Sequence, residues 1–136
     1  MSQTVEEDLI LERDGAVLMI TLNRPHRRNA LTFEMYEEIR QICSRAGKEG
    51  DLKDVKALIF IGGGDKAFAA GTDISRFKDF TSPQDAIDYE TRGEAVMEEI
   101  ESCAVPTIAA LNGFVTGGGA AIAGSCTIRI GAEDIK

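Results

Sequence analysis

The stretch that decides the fold is Thr107-Ile-Ala-Ala-Leu-Asn-Gly-Phe-Val-Thr-Gly-Gly-Gly-Ala-Ala-Ile-Ala123, an apolar run that breaks into three glycines and resumes with small residues at helical spacing. It predicts a strand, a glycine turn and the start of a helix. The first N–H groups of a helix have no partner within it and carry partial positive charge. The pattern therefore predicts a place where main-chain N–H groups can hold a negatively charged oxygen.

A second apolar run also leads into glycine. The strand predicted over residues 55–61 is followed by Gly62-Gly-Gly-Asp-Lys-Ala-Phe-Ala-Ala-Gly-Thr-Asp-Ile74. Two separate segments can thus supply N–H donors to one oxygen, and preorganised donors of this kind stabilise charge that develops on a carbonyl. The triplet at 62–64 is interpreted as a flexible turn with no chemistry of its own.

Length and composition are those of one ordinary globular domain. The chain has 136 residues, of which 43% are hydrophobic and 28% charged, and it contains no linker or low-complexity run. Its formal net charge of −8 argues against a nucleic-acid partner, which would require an excess of Lys and Arg. The N-terminal segment has no apolar run long enough for a signal peptide or a membrane span. We therefore expect a cytoplasmic protein with no membrane partner.

The cysteines and the single histidine do not suggest a metal site. Cys43, Cys103 and Cys126 are odd in number, widely spaced and set in apolar patterns, which favours core packing in a reducing compartment. His26 lies in a segment expected at the surface, so a solvated loop histidine is the favoured interpretation. Neither glycine cluster has the spacing of a phosphate-binding loop or a dinucleotide fingerprint. We expect no metal, and the pattern disfavours nucleotide hydrolysis and hydride transfer.

Strand and helix signals alternate along the chain, which predicts an α/β domain. Asp14-Gly15 predicts the turn of a hairpin, and Thr32 and Ser82 predict the N-caps of two helices. The predicted strands cover residues 8–13, 16–22, 55–61, 107–111 and 127–131, and the predicted helices cover 33–46, a short segment from about 73, and 83–102.

The long helix predicted over residues 83–102 has two faces. Its core face is predicted to contain Ile87, Val96, Met97 and Ile100. An exposed acidic face is predicted for Glu90, Glu94, Glu98, Glu99 and Glu101.

The C-terminal residues Asp134-Ile-Lys136 follow the last predicted strand directly, with no helix to cover it. We expect that the strand is covered by a further part of the domain or by another subunit.

Three motifs, in this order and separation, carry a family resemblance. They are Leu22-Asn-Arg-Pro-His-Arg-Arg-Asn-Ala-Leu31, Ala67-Phe-Ala-Ala-Gly-Thr-Asp-Ile74 and Pro106-Thr-Ile-Ala-Ala-Leu-Asn-Gly-Phe-Val-Thr-Gly-Gly-Gly119. The chain resembles the N-terminal part of the crotonase superfamily, the enoyl-CoA hydratase/isomerase family, from the hairpin to Ala132. The resemblance implies that residues 1–136 are the N-terminal part of a single domain, an α/β spiral of ββα units that is incomplete at its C-terminus.

The resemblance also implies an activity. Family members bind an acyl-coenzyme A thioester and stabilise its enolate with two backbone N–H groups, which would be those of Thr72 and Gly118 here. The implied enzyme is a lyase or isomerase of fatty acid metabolism. It would need no cofactor beyond the coenzyme A of its substrate, and it would assemble as a trimer or hexamer.

Further residues are implied to line the adenine, pantetheine and thioester parts of the substrate: Arg28, Ala30, Ala70, Gly71, Asp73, Ile74 and Gly117. Guanidinium groups make charge-assisted bonds to phosphate, so Arg24, Arg27 and Arg28 are candidate contacts for the coenzyme A phosphates, and the position in the motif favours Arg28. For Asp73, capping of the helix that follows is favoured over a role as general base.

One departure from the family pattern bears on the reaction. Hydratases of this family carry a glutamate where this chain has Ala121, and a second glutamate that would fall beyond Lys136. Because alanine cannot transfer a proton, the two-glutamate hydration mechanism is in question. Isomerisation, decarboxylation, thioester hydrolysis and ring chemistry remain open, and so does a noncatalytic module that binds CoA esters or serves as a structural subunit.

Overall fold

The computed structural model describes residues 7–131, apart from the side chains of Ile74 and Arg76. The strands within this range, β1 to β7, are Leu9–Asp14, Val17–Leu22, Ala57–Gly62, Ala67–Ala70, Thr107–Leu111, Phe114–Thr116 and Ile128–Gly131. The helices α1 to α3 are Phe33–Arg45, Pro83–Glu101 and Gly118–Ser125. Short 3₁₀ helices lie at Pro25–Arg27, Gly50–Leu52 and Ile74–Asp79.

The strands form two sheets. The larger sheet has the order β1-β2-β3-β5-β7, and the smaller one pairs β4 with β6. β1 and β2 are antiparallel and joined at Gly15, whose φ is 61°, so the predicted hairpin is confirmed. The other pairs are parallel. β2 and β3 bury every second residue, as expected for strands that turn one face to a core.

Both long helices begin at the predicted caps. The Thr32 hydroxyl oxygen accepts a hydrogen bond from the N–H of Met35 at 3.1 Å. At the start of α2, the Ser82 hydroxyl oxygen accepts from the N–H of Asp85 at 3.3 Å, and the Asp85 carboxylate accepts from the N–H of Ser82 at 3.2 Å. These reciprocal bonds satisfy N–H groups that have no partner inside the helix.

The core lies between the larger sheet and the helices. Its largest side chains with less than 2% exposure include Phe60, Phe68, Ile20, Leu22, Ile39, Ile100 and Ile122. The prediction for Ile87 is wrong, because its side chain is 55% exposed. In α2 only Val96 and Ile100 are buried, since the first half of the helix extends past the packed core.

The cysteines pack as predicted. Cys43 and Cys126 are buried, Cys103 is half-buried, and all three are free thiols. At the edge of the larger sheet, β7 exposes Ile128 and Ile130 by 47% and 60%. Residues 134–136, which follow this strand, lie outside the described residues. No helix within residues 7–131 is long and apolar enough to cross a membrane.

The two strands of the smaller sheet are absent from the predicted elements. β4 and β6 have four and three residues, and small or threonine side chains predominate in them. They pair in parallel from Ala67 opposite Phe114 to Ala70 opposite Thr116, with an irregularity between Ala67 and Ala69. The turns at Gly71 and Gly117 directly follow these two strands, so the short sheet determines where the turns meet.

The glycines that precede β4 are packed against the backbone. A Cβ built on Gly62 would overlap the carbonyl oxygen of Ala67 and lie 2.6 Å from the Cα of Phe68. A Cβ on Gly63 would lie 2.8 Å from Oδ1 of Asn23. The interpretation of this triplet as a flexible turn is therefore wrong for Gly62, which ends β3 and lets the main chain of β4 approach it.

Replacing Gly62 by alanine tests this close approach. We expect Gly62→Ala to lower the free energy of unfolding by about 1–3 kcal/mol, because the added methyl meets backbone that cannot swing aside. Urea denaturation followed by circular dichroism measures the change.

Gly93→Ala is the matched control. Gly93 lies inside α2, where an added Cβ has no neighbour within 4 Å among the described atoms. It should raise the free energy of unfolding by up to about 1 kcal/mol, since alanine favours the helix. Equal unfolding midpoints for Gly62→Ala and the unchanged protein would contradict the close approach.

Candidate active site

β4 and β6 bring two turns of the chain side by side. Their last pair is Ala70 and Thr116, and the chain leaves both strands in the same direction because they are parallel. The next residues stay adjacent, since a Cβ on Gly117 would lie 3.2 Å from the Cα of Gly71. Gly71 has a φ of 102° and Gly117 a φ of 54°, which are backbone conformations that residues other than glycine rarely adopt. Both turns therefore require glycine where they touch.

Thr72 and Gly118 follow on the two turns. The N–H of Leu31 donates to the carbonyl of Gly71 at 2.9 Å, and the N–H of Asp73 donates to the carbonyl of Leu31 at 2.8 Å. These bonds fix the chain on both sides of Thr72 and leave the N–H of Thr72 on the opposite side. Gly118 is the first residue of α3. Within residues 7–131 neither N–H has a hydrogen-bond partner.

A cavity of about 770 Å³ lies beside these two residues. Thr72, Gly117, Gly118 and Ala121 line it. It is also lined by apolar and aromatic residues of α1 and α2: Phe33, Tyr36, Tyr89, Val96 and Met97. Cavities of this size and lining are typical of small-molecule sites.

Acidic residues of the helices also border the cavity. Glu37 of α1 and Glu90, Glu94 and Glu98 of α2 are exposed at its rim. The last three belong to the face that the sequence predicted to be acidic and exposed. That prediction is confirmed for them, and the structure adds that this face looks onto the cavity.

Four aromatic rings, of which Phe33 and Tyr89 line the cavity, join α1, α2 and the 3₁₀ helix Ile74–Asp79. Phe33 of α1 lies 5.2 Å from Tyr89 of α2, measured between ring centroids. Phe77 of the 3₁₀ helix lies 5.0 Å from Tyr89 and 5.2 Å from Phe80. The segment that follows Thr72 is thereby packed against both long helices.

Tyr36 is a site residue that sequence reasoning missed. Its hydroxyl is hydrogen-bonded to the hydroxyl of Thr72 at 2.7 Å. A Cβ built on Gly118 would overlap the same Tyr36 hydroxyl. Burial raises the pKa of Tyr36 above its usual value, which keeps the phenol protonated at neutral pH. No local sequence signal connects two residues on different elements in this way.

Arg24 holds the segment 24–31 against the turn that contains Thr72. Its guanidinium lies 2.9 Å from the carboxylate of Asp73 and donates to the carbonyl of Ala30 at 2.7 Å. The Arg24 side chain is only 11% exposed. Its charge is therefore paired inside the protein with Asp73.

Asp73 caps the 3₁₀ helix Ile74–Asp79, as predicted. Its carboxylate accepts from the N–H of Ser75 at 2.9 Å. This bond first, and then the guanidinium of Arg24, lowers the pKa of Asp73 from 3.8 to about 2. The carboxylate stays ionised at any ordinary pH, so it is a poor general base.

Asn29 is a second residue whose role was not predicted. It is fully buried in the left-handed conformation, with a φ of 59°. Its amide donates to the carbonyls of Gly63 and Ala67 at 2.9 and 2.8 Å, and its oxygen accepts from the N–H of Arg24 at 2.8 Å. Asn29 thus ties the segment 24–31 to the chain around β4. In the sequence, this role of Asn29 is marked only by its position after two arginines in a loop that contains Pro25.

Other residues predicted to bind substrate lie outside the large cavity. Arg28 is exposed, its guanidinium lies 6.0 Å from the ring centroid of Phe114, and it borders a second cavity of about 140 Å³. The N–H of Ala70 donates to the carbonyl of Arg28 at 3.0 Å, and the N–H of Asp73 donates to the carbonyl of Leu31. The carbonyl of Ala30 is taken by Arg24.

Two further predicted residues remain. Ile74 begins a 3₁₀ helix, and its side chain lies outside the described residues. Gly71 touches Gly117 rather than the cavity. The structure therefore brings Thr72, Gly117 and Gly118 together at one cavity, whereas Arg28, Ala30, Ala70, Gly71 and Asp73 do not line it. The exposed position of His26 agrees with its interpretation as a loop residue.

The mixed five-stranded sheet, the separate parallel pair of β4 and β6 and the three helices form an α/β fold of the crotonase class of proteins. Solved structures share this fold. One described as an enoyl-CoA hydratase/carnithine racemase from Magnetospirillum magneticum matches with a TM-score of 0.84 at 31% identity, and the match covers 96% of this chain and 48% of that one. A family model described as Enoyl-CoA hydratase/isomerase matches residues 12–136. The chain belongs to this family.

Curated relatives agree with that assignment. A Short-chain-enoyl-CoA hydratase from Clostridium acetobutylicum is 36% identical, with 95% of this chain and 48% of the relative covered. A Crotonyl-CoA hydratase from Syntrophomonas wolfei is 37% identical, with 96% and 48% covered. The chain thus spans about half the length of the curated relatives it matches.

The pairing of Asp73 with Arg24 and Ser75 predicts a pH dependence. Since the folded-state pKa of Asp73 is lowered from 3.8 to about 2, its contribution to stability is present above about pH 4 and is lost as the pH falls toward 2. We expect Asp73→Asn to lower the free energy of unfolding by about 1–2 kcal/mol at pH 7, because two bonds of a charged group are weakened. The difference from the unchanged protein should shrink between pH 4 and pH 2.

Asp51→Asn serves as the control for this prediction. Asp51 pairs with Arg45 at 3.0 Å, but its side chain is 83% exposed. Urea unfolding at a series of pH values should give a change below about 1 kcal/mol for Asp51→Asn. If Asp73→Asn and Asp51→Asn behave alike at pH 7, the pair of Asp73 and Arg24 does not fix the turn.

Proposed function

We propose that this chain supplies the oxyanion site of an acyl-CoA enzyme of the hydratase/isomerase type. One observation supports the proposal above all. The unpaired N–H groups of Thr72 and Gly118 follow paired parallel strands, and both residues border one cavity of about 770 Å³. In the proposed complex the two N–H groups donate to the carbonyl oxygen of a thioester.

The chemistry of a thioester suits such donors. When a proton leaves the α-carbon, or a nucleophile adds to the β-carbon of an enoyl group, negative charge collects on the carbonyl oxygen. Main-chain N–H groups donate to that oxygen without being able to ionise, and rigid donors need no reorganisation as the charge forms. The family and the names of its curated hydratases support an enoyl thioester as the substrate class.

The proposed substrate extends away from the two donors in both directions. Its acyl chain occupies the apolar side of the cavity, against Phe33, Val96 and Met97. Its coenzyme A part passes the turn at residues 70–74 toward Arg28, which is exposed and free of any ion pair within residues 7–131. Coenzyme A enters as part of the substrate. We also predict that the protein assembles as a trimer or hexamer. Its cytoplasmic location is likewise a prediction.

Ala121 favours one alternative. Ala121 lines the same cavity as Gly118, and its methyl side chain can neither give nor take a proton. A protein that holds the thioester through the two N–H groups but transfers no proton would be a CoA-ester-binding or structural module. Loss of the α-proton separates simple binding from both hydration and isomerisation.

Exchange of the α-protons of butyryl-CoA with deuterium oxide tests the proposal on the protein in its natural full length. Gly118→Pro removes the N–H, and the first position of a helix accepts proline. Because any side chain at this position contacts Tyr36 and Thr72, Gly118→Ala is the matched control, which adds a Cβ and keeps the N–H. We expect the exchange rate of Gly118→Pro to be lower than that of Gly118→Ala by about 100-fold.

Mass spectrometry measures the exchange, and calorimetric titration with butyryl-CoA measures binding in parallel. Binding without exchange in the unchanged protein would favour the noncatalytic module. Equal exchange rates for the proline and alanine variants would show that Gly118 is not a donor. Absence of both binding and exchange would refute the enzyme and the module together.

A further inference from the structure

Tyr36 places a phenol beside the two unpaired N–H groups. Its hydroxyl lies 2.7 Å from the Thr72 hydroxyl and so close to the Cα of Gly118 that no Cβ would fit between them. The same Cβ would lie 2.8 Å from Oγ1 of Thr72. The phenol therefore lies against both residues that carry the proposed donors, and it borders the same cavity.

We propose that the hydroxyl of Tyr36 is a third hydrogen-bond donor to the thioester oxygen, which makes Tyr36 a catalytic residue of this chain. The inference rests on the proposed function. It adds a side-chain donor to a site otherwise built from main-chain N–H groups. It does so in a chain where Ala121 contributes no polar group to the cavity.

The hydrogen bond to Thr72 is compatible with this role. Either hydroxyl can be the donor in that bond. When Thr72 donates to the oxygen of Tyr36, the phenol proton is left for a third group, and the substrate oxygen is the acceptor that the cavity would admit. A phenol polarised by an incoming hydrogen bond is itself a better donor.

The protonation state of Tyr36 agrees with a donor role. The side chain is half-buried, and desolvation raises its pKa, with the bond to Thr72 opposing that effect. A neutral phenol donates a hydrogen bond throughout the neutral range, whereas a phenolate would repel an enolate. Thr72 and Gly118 lie against the hydroxyl, and the nearby phenol of Tyr89 also raises its pKa.

A purely structural role is the competing explanation, in which Tyr36 only anchors the turn through Thr72. Two variants separate the explanations because they remove the same hydrogen bond from opposite ends. Tyr36→Phe removes the phenol, whereas Thr72→Val removes its partner and leaves both the phenol and the N–H of residue 72. An anchoring role predicts equal effects, and a contact with substrate predicts a larger effect for Tyr36→Phe.

The experiment measures α-proton exchange and calorimetric binding of butyryl-CoA for the natural full-length protein and both variants. We expect Tyr36→Phe to slow exchange at saturating butyryl-CoA by about 10- to 100-fold, with a dissociation constant within about twofold of the unchanged protein. Thr72→Val should slow exchange less. Ser44→Ala, which removes a hydroxyl bonded to the carbonyl of Gln41 on the same helix, should leave exchange unchanged.

Each other outcome overturns the inference. Equal losses in Tyr36→Phe and Thr72→Val would make Tyr36 an anchor, and an equal or faster rate in Tyr36→Phe would exclude a contact that aids the reaction. A higher dissociation constant for Tyr36→Phe at an unchanged exchange rate would make Tyr36 a binding group only. Thermal unfolding of each variant verifies that it is folded. If the unchanged protein shows no exchange, the proposed function itself fails, and the role of Tyr36 fails with it.

Discussion

The parallel pairing of β4 with β6 is the constraint on which the candidate site depends. Parallel strands end on the same side, so the chain enters two turns together and passes from Ala70 and Thr116 into glycines that touch. Antiparallel strands would send the two turns to opposite ends. The pairing itself needs close approach, because a Cβ on Gly113 would lie 2.7 Å from the amide nitrogen of Ala67. The seven residues of β4 and β6 thus set the positions of the turns at Gly71 and Gly117 and of the start of α3.

A second set of contacts holds this small sheet in place from outside. Arg24 and Asn29 come from the loop between β2 and α1, and their bonds reach Asp73 beyond one end of β4 and the carbonyls of Gly63 and Ala67 at the other. Buried polar groups must be satisfied, and among the described residues no buried side-chain nitrogen or oxygen lacks a partner. The loop therefore acts as a polar brace for a sheet too short to be stable alone.

The hairpin and the starts of α1 and α2 could be predicted because their signals are local: a turn dipeptide in one case, and a capping residue with its partner three positions on in the others. β4 and β6 could not, since three or four small residues carry no readable alternation. Burial of Ile87 was predicted from helical spacing, but spacing does not reveal where a helix leaves the core. Within the site, the glycine turns and the family motifs pointed to Thr72 and Gly118. The hydroxyl pair of Tyr36 and Thr72 depends on packing between distant segments.

The unpaired N–H groups belong to the main chain, and this affects how such a centre is found. Truncating a side chain leaves its own amide in place, so a mutational scan that replaces each residue in turn by alanine would score position 72 by its hydroxyl alone. Positions 117 and 118 would register as intolerant for steric reasons. A survey of that kind would map the frame around the centre and pass over the centre itself.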